Sequence, residues 1–376
     1  MNDLDLLARR MTALARHDHD LRIFGASTHR WVVYPLSAED CAAACVRHGV
    51  DVLPEAWRYW VSEGPGVGPG PFYGLLHPED VEPGEGPLAG ALPLSDQGCG
   101  YSDWLMTDGD RAGEVWVDFR AAEGEVVRWY PSLASYLDAW LWRSYAEWGI
   151  ECLNESVPTG TDPAFLDAVR LALIRATTRP DDPIQNQYPL PIDKAHGALG
   201  TLHLATGDIT AAERSFDEAA TLSPESDAWR ALGRCRVASA RRDPQALLAA
   251  ADEGLRATPL WWITQGQLLV HRVNALEGLE RWADALTARE AVADHFRYDL
   301  KKNLDLVWIR MLRRETDLAV GRVRDLATRG VGCDPKAPMA ERLAQVTGGL
   351  LGALRAEGLG DRADLLEAAL AAEPTG

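Results

Sequence analysis

The sequence predicts two folded parts, an α+β domain over residues 1–150 and an all-α helical repeat domain over residues 193–376. Short apolar runs between residues 64 and 128 are separated by glycine and proline clusters, which is typical of short strands joined by hairpins. A helical period of 3.6 residues precedes this region and returns from Ser132. Beyond residue 192 the pattern is helical and almost free of strand signals, which predicts the second part.

The N-terminal segment predicts one helix and one extended stretch. Leucines and a methionine recur on one face of residues 2–16, the pattern of an amphipathic helix. Residues 21–35 are richer in β formers, among them Ile23, Phe24 and Trp31–Tyr34, and they predict a strand or extended chain.

Two further helices have start and stop signals. Ser37 can cap a helix in which Asp40, three residues on, completes a box-like pair with it. Gly49 is a natural stop for this helix, because glycine adopts the left-handed conformation at no steric cost. Pro54 suits the first turn of the next helix, which we expect to end at Gly64.

Five apolar runs predict the strands of the sheet. The runs are Leu75-Leu76, Leu92–Leu94, Trp104–Met106, Val115–Val117 and Val126-Val127. Asp108-Gly109-Asp110, between two of them, is a strong hairpin signal. The helix that follows the sheet carries its apolar residues on one face, which predicts burial of that face. These residues are Leu133, Tyr136, Leu137, Trp140, Leu141 and Tyr145.

Residues 151–192 predict a linker that contains a short helix over residues 164–175. Four prolines after this helix predict a stiff connector, because proline fixes its own φ and cannot donate a backbone hydrogen bond. They are Pro180, Pro183, Pro189 and Pro191.

An internal repeat follows the linker. Leu199-Gly200 and Leu232-Gly233 are 33 residues apart, and each pair is followed by small residues and then a proline. Small residues such as Ala212 allow two antiparallel helices to approach closely. The pattern resembles the tetratricopeptide repeat over residues 195–290, with a third, degenerate unit from Trp261-Trp262. About three repeats are needed for a stable stack, so we expect the flanking helices to serve as caps.

The charge of the chain is strongly negative and uneven. The net charge is −18, and residues 1–150 hold 23 acidic and 11 basic residues, a net −12. Such a surface repels nucleic acid and anionic lipid and attracts basic partners. Plain solubility remains the alternative explanation of the charge.

Recognised catalytic and cofactor patterns are not found in the sequence. The glycine-rich loop at 64–70 has no lysine followed by Ser/Thr and no dinucleotide-binding register, so we expect no phosphate site.

Cys41 and Cys45 lie one helical turn apart without a second ligand pair, and His17–Asp20 is expected to be solvated, so no metal or other cofactor is predicted. The six scattered cysteines are predicted to be buried, reduced thiols. The N-terminus lacks the basic and then apolar segments of a secretory signal, and no apolar run reaches the roughly 20 residues that span a bilayer. We therefore expect a cytoplasmic protein that does not enter membranes.

Aromatic and acidic residues on the predicted hairpins are candidates for a docking patch that binds a protein partner. Tyrosine and tryptophan are favoured as interface anchors, and carboxylates would complement a basic partner. The alternative is that the aspartates have no binding role and occur here because aspartate favours turns. The candidates are Phe72, Tyr73, Asp96, Tyr101, Asp103, Asp108 and Asp110.

The motifs of residues 20–148 resemble the SUKH superfamily, and within it the Smi/Knr branch. They are Phe24–Ser27, His29, Pro35–Ser37, Asp40, Leu53-Pro54, Phe72–Leu75, Pro93–Tyr101, Trp104, Gly113–Trp116 and Tyr136–Trp140. Two departures are a loop of only glycine, proline and valine at 64–71, without the usual asparagine, and the lack of a glutamate near Ala44. The resemblance implies a non-enzymatic protein: bacterial members are mostly immunity proteins that bind cognate toxins, often nucleases, and fungal members regulate cell-wall synthesis through protein contacts.

The leading hypothesis is therefore an immunity protein that masks a cognate, possibly basic toxin such as a nuclease. The second hypothesis is an intracellular regulatory or scaffolding adaptor whose helical repeats bind a protein or peptide. Deleting residues 190–376 would separate the two, because an immunity protein should keep protection and an adaptor should lose function. A third, weaker hypothesis is a hydrolase that uses Cys99 or His29.

Overall fold

The computed structural model describes residues 3–153, 156–178 and 189–372. Contacts divide the chain into two compact units, Met1–Leu222 and Ser223–Gly376. The first helical pair after the linker is thus grouped with the α+β part, whereas the sequence predicts boundaries at residues 150 and 193. The linker prolines Pro180 and Pro183 lie outside the described residues.

The first unit begins with helix α1, Asp3–His17, as the sequence predicts. Its apolar face is buried, and the tyrosine hydroxyl of Tyr145 and the indole N–H of Trp148 donate hydrogen bonds to the carbonyls of Arg10 and His17. These bonds fix α1 against the long helix of the unit.

No regular strand forms over residues 21–35, which the sequence predicts to be a strand or extended chain. This segment contains a short helix α2, Ala26–His29, between residues in the left-handed region: Gly25 has φ 83° and Arg30 has φ 50°. Only Tyr34 makes a β-bridge, with Val67. The β-forming side chains of this segment therefore lie along turns and loops.

Helix α3, Ala38–His48, begins and ends where the sequence predicts. Ser37 and Asp40 form the reciprocal capping box, and Gly49 closes the helix with φ 64°. Helix α4, Glu55–Arg58, starts after Pro54 and continues into a π-helical turn, Tyr59–Glu63.

Four strands form one antiparallel sheet in sequence order: β1 Leu92–Gly98, β2 Tyr101–Leu105, β3 Val115–Asp118 and β4 Val126–Tyr130. Four of the five predicted strands are confirmed; the fifth run, at Leu75, makes only isolated bridges, with Gly68 and with Ser95 of β1. The Asp108–Asp110 signal marks a connection between β2 and β3 that holds a short 3₁₀ turn, Gly109–Arg111. In the outer strand β4, the exposed Arg128 makes an ion pair with Glu114.

The glycine-rich loop packs its backbone directly against neighbouring backbone. Gly74 has φ 111°, and a Cβ atom there would lie 2.0 Å from the carbonyl oxygen of Gly68. A Cβ atom at Gly25 would lie 1.5 Å from the carbonyl oxygen of Phe72. These glycines are required for close backbone approach and positive φ.

Helix α5, Leu133–Cys152, crosses the core of the first unit, and all six residues predicted on its apolar face are buried. Helices α6, Pro163–Thr178, and α7, Ile192–Ala205, extend this core, and α8, Ile209–Leu222, packs against α7. In the α7–α8 pair, a Cβ atom at Gly200 would lie 2.4 Å from the ring of Phe216, so glycine is needed for the close helix contact.

The second unit is all-α, as predicted. Consecutive helices contact one another and enclose apolar clusters. The helices are α9 Ser226–Ala240, α10 Pro244–Gly254, α11 Trp262–Gly278, α12 Trp282–His295, α13 Leu300–Leu312, α14 Thr316–Thr328, α15 Met339–Ala356 and α16 Gly360–Ala371. Across both units, none of the helices formed by the described residues has the length and hydropathy needed to span a bilayer.

Candidate protein-binding surface

The turn between β1 and β2 projects from the sheet of the first unit. Gly98 pairs with Tyr101 at its base, and Cys99, which the sequence predicts to be buried, is exposed and adopts a positive φ of 55°. The segment with Tyr73 runs beside this turn, where the Tyr73 N–H donates to the carbonyl of Asp96 at 3.4 Å. A Cβ atom at Gly98 would lie 2.9 Å from the Tyr73 ring, so glycine leaves room for this tyrosine.

Two aromatic pairs flank the turn. Tyr73 packs on Phe24 with ring centroids 5.5 Å apart, and both rings are about 40% exposed. Tyr101 packs edge-on against Phe119 at 5.3 Å. Asp96 is exposed between them in β1. We call Phe24, Tyr73, Asp96, Tyr101 and Phe119 the hairpin surface. The structure thus brings together three of the predicted residues and adds two phenylalanines.

Phe72 is inside the protein and is not part of this surface. Its side chain is buried, and its ring stacks on Trp129 with centroids 6.0 Å apart and planes 10° from parallel. Phe72 has φ 55°, which turns it inward while its neighbour Tyr73 faces outward. This corrects its assignment to the docking patch.

Asp103 is also interior, which corrects its assignment as a turn or docking residue. The sheet register places it opposite Ser95, on the face that packs against α5. Its carboxylate accepts hydrogen bonds from the hydroxyls of Ser95 and Tyr136 and from the amide of Gln97. The Ser95 and Tyr136 hydroxyls also lie 2.9 Å apart. This network fixes β1, β2 and α5 beneath the hairpin surface.

Burial raises the pKa of Asp103 from its ordinary 3.8 to about 7, although the three hydrogen bonds oppose the shift. The folded protein therefore holds this proton more tightly than the unfolded chain does. Asp103 therefore contributes fully to the free energy of unfolding at pH values below its pKa in the unfolded chain. This contribution is lost as the pH rises through about 7.

We expect Asp103→Asn to remove this pH dependence. Asparagine keeps an acceptor oxygen and carries no charge, so its contribution should be the same at each pH. Between about pH 5 and pH 8 the wild-type free energy of unfolding should fall relative to the variant by about 3 kcal/mol. Urea denaturation of both proteins across this range measures the difference, and parallel curves would contradict the assignment.

Asp108 and Asp110 are exposed, but they lie in the connection at the other end of β2 from the turn. The four residue steps from Tyr101 to Leu105 alone span about 13 Å. The structure therefore does not bring these two aspartates into the hairpin surface.

The other residues that the sequence singles out for chemistry have structural contacts. His29 is buried and its Nδ1 accepts the Trp31 N–H, while burial lowers the pKa of its imidazole to about 4. Asp18, predicted to be solvated, is instead buried and accepts the backbone N–H of Arg22 and the indole N–H of Trp31. The Cys41 thiol contacts the Ser62 hydroxyl at 3.4 Å.

A cleft with polar lining residues remains in the first unit. It has a volume of about 420 Å³ and lies between the end of α1 and the loop at 158–161, and His17 beside it stacks on Phe165 at 3.9 Å. Within residues 3–153, 156–178 and 189–372, no three His, Cys, Asp or Glu side chains are grouped to hold a metal ion.

No family model, curated protein or solved structure matches the chain. The resemblance to the SUKH superfamily and the tetratricopeptide-like pattern therefore stay predictions, and the geometry of the chain's own residues must support the argument on function.

The sequence does not single out Phe24 or Phe119 as surface residues. Each lies next to a turn, since Phe24 precedes Gly25 and Phe119 follows β3. An aromatic residue beside a turn signal is a pattern that could have indicated them, because turns lie at the surface.

Proposed function

We propose that this chain is a non-enzymatic protein-binding protein that neutralises a cognate toxin by direct binding. The motifs that resemble the Smi/Knr branch of the SUKH superfamily suggest this role. The toxin partner would be a basic domain, such as a nuclease, and the N-terminal domain would mask it.

The observation that carries the proposal is the hairpin surface. Its aromatic side chains are exposed or half-buried, and ring contacts hold them in place. The Asp103 network beneath it limits movement of the two strands. A surface whose side chains are already ordered loses less entropy on binding, and tyrosine is enriched among the few residues that dominate binding energy at protein interfaces.

Charge supports a basic partner. Residues 1–150 carry a net −12, and Asp96 places a carboxylate within the hairpin surface. Opposite charges accelerate the encounter and disfavour acidic partners. Binding should therefore weaken as the salt concentration rises.

We expect a Tyr73→Ala, Tyr101→Ala double variant to lose neutralisation. The toxin domain encoded at the adjacent locus would be co-expressed with each form of the chain, and growth and complex formation would be measured. The wild-type chain should rescue growth, and the variant should bind at least about tenfold more weakly, because two interface anchors are removed.

The matched control is an Asp108→Asn, Asp110→Asn variant. It alters exposed carboxylates of the same domain at the opposite end of β2, so it should protect as well as the wild type. Equal loss in both variants would place the contact elsewhere. If the wild-type chain neither rescues growth nor forms a complex, the immunity proposal fails.

A regulatory or scaffolding adaptor is the second candidate. It is supported by the all-α second unit, which exposes several large aromatic side chains, and by the tetratricopeptide-like sequence pattern over residues 195–290. A partner that binds this unit and not the hairpin surface would favour the adaptor.

A further inference from the structure

Three consecutive large apolar residues are exposed at the start of α11. Trp261, Trp262 and Ile263 have exposures of 60%, 58% and 67%. Single exposed apolar residues are common, but a contiguous group of this size marks an interaction site. The two tryptophans strengthen this indication of an interaction site, because tryptophan is enriched among the residues that dominate binding energy.

The backbone beneath these residues is held by a buried carboxylate. Glu225 is only 1% exposed, and its two oxygens accept the Trp261 N–H and the Thr264 hydroxyl, both at 2.6 Å. Nε2 of His295 lies 2.8 Å from the carbonyl oxygen of Trp262, and the two rings stack at 4.8 Å. The exposed side chains therefore project from a fixed backbone.

Aromatic and cationic residues continue this surface. The Phe296 ring lies 5.6 Å from Trp262, and Nζ of Lys302 lies 4.7 Å above the Phe296 ring. Exposed Tyr298 has the Arg297 guanidinium 5.1 Å from its ring. We call the group Trp261, Trp262, Ile263, Phe296, Arg297, Tyr298 and Lys302 the aromatic platform.

The two cations of the platform are available to a partner. Within the part of the chain that the structure describes, neither Arg297 nor Lys302 makes an ion pair with a carboxylate. Two nearby carboxylates are engaged elsewhere: Asp294 pairs with Arg322, and Asp299 accepts the backbone N–H of Lys302 at the start of α13. Asp305 lines the same cavity as Lys302 but makes no ion pair with it.

We propose that the aromatic platform binds an acidic segment of a partner protein. Apolar side chains of the segment would cover Trp261, Trp262 and Ile263, and its carboxylates would meet Arg297 and Lys302. A single-stranded nucleic acid also stacks on aromatic residues, but it carries a phosphate at every nucleotide, and the platform offers only Arg297 and Lys302 to neutralise them. An acidic segment needs only these two local cations. The inference does not depend on the immunity proposal, since it concerns another surface. The platform would bind an acidic segment, whereas the hairpin surface would bind a basic toxin.

The test is selection from a library of random 12-residue peptides displayed on phage, with the full chain as bait. Enriched peptides should combine Asp or Glu with Trp, Phe or Leu. Synthetic fluorescein-labelled copies would then be titrated with the chain, and the dissociation constant would be read from anisotropy. Trp261→Ala and Arg297→Glu should each weaken binding at least about tenfold.

Trp282→Ala is the matched control. Trp282 is 62% exposed, like Trp261, but it begins α12 at the far end of the 17-residue α11, which is about 25 Å long. This variant should bind the peptides as the wild type does, and so should Tyr73→Ala, Tyr101→Ala. Circular dichroism of each variant checks that it is folded.

Several results would overturn the proposal. They are no enrichment, enrichment of basic peptides, full binding by folded Trp261→Ala, or tighter binding of a labelled 20-nucleotide oligothymidine than of the selected peptides. The last result would identify the platform as a nucleic-acid surface.

Discussion

Replacing Gly25 with alanine should lower the free energy of unfolding by about 3 kcal/mol or more. Gly25 has φ 83°, and a Cβ atom there would lie 1.5 Å from the carbonyl oxygen of Phe72. The overlap is with backbone, so no change of rotamer can relieve it, and the loop around Phe72 must move away. Urea denaturation followed by circular dichroism measures the loss.

Gly109→Ala is the control for this substitution. Gly109 also has a positive φ, 59°, but nothing lies within 4 Å of the Cβ position. The change should therefore cost only about 1 kcal/mol, the price of the left-handed conformation alone. Similar losses in the two variants would show that the contact with Phe72 does not determine the requirement for glycine.

The second large effect is expected for Asp103→Ala, which should lower the free energy of unfolding by about 3 kcal/mol. The substitution removes the acceptor of three buried hydrogen bonds, from Ser95, Gln97 and Tyr136. It also leaves a small cavity between the sheet and α5. Chemical denaturation near pH 6 is the appropriate measurement, because the carboxyl is then largely protonated in the wild type.

Asp103→Asn separates the hydrogen bonds from the charge. Asparagine fills the same volume and can accept and donate, so at pH 6 it should be much closer to the wild type than alanine is. Equal destabilisation by alanine and asparagine would mean that the carboxyl itself, and not the filled network, stabilises the fold.

Local signals predict the helices of the first unit other than α2, and most of its strands. Ser37, Asp40 and Gly49 act within one or two turns of the same helix, so their positions in the sequence determine the capping geometry directly. The same holds for the apolar face of α5, since its residues share one side of a helix. The helical character of residues beyond 192 follows in the same way.

Features that depend on distant contacts could not be predicted in this way. β formers favour a strand or extended chain over 21–35, but Gly25 and Arg30 adopt left-handed conformations, and Gly25 lies directly against the backbone of the distant Phe72. Asp103 is polar on a buried face, and its hydrogen-bond acceptor role depends on Tyr136, which is 33 residues away in the sequence.

The candidate sites show the same division. Tyr73, Asp96 and Tyr101 were predictable as surface residues from their turn-rich surroundings. The separation of these three residues from Asp108 could not be predicted, because it depends on the direction in which β2 runs. The aromatic platform was not predicted. From the sequence alone, the adjacent tryptophans Trp261 and Trp262 suggest packing between helices. The hydrogen bond from the Trp261 N–H to Glu225 joins distant parts of the chain, so the sequence does not reveal it.

The placement of Arg128 in β4 affects how the molecule behaves when crowded. An outer strand is a template onto which a strand of another molecule can add, and such additions start fibrils. β4 is only five residues long and carries this charged side chain on its exposed surface, already paired with Glu114. A strand that added to this edge would lie beside the charged Arg128 side chain, and short edge strands with charged side chains disfavour such pairing.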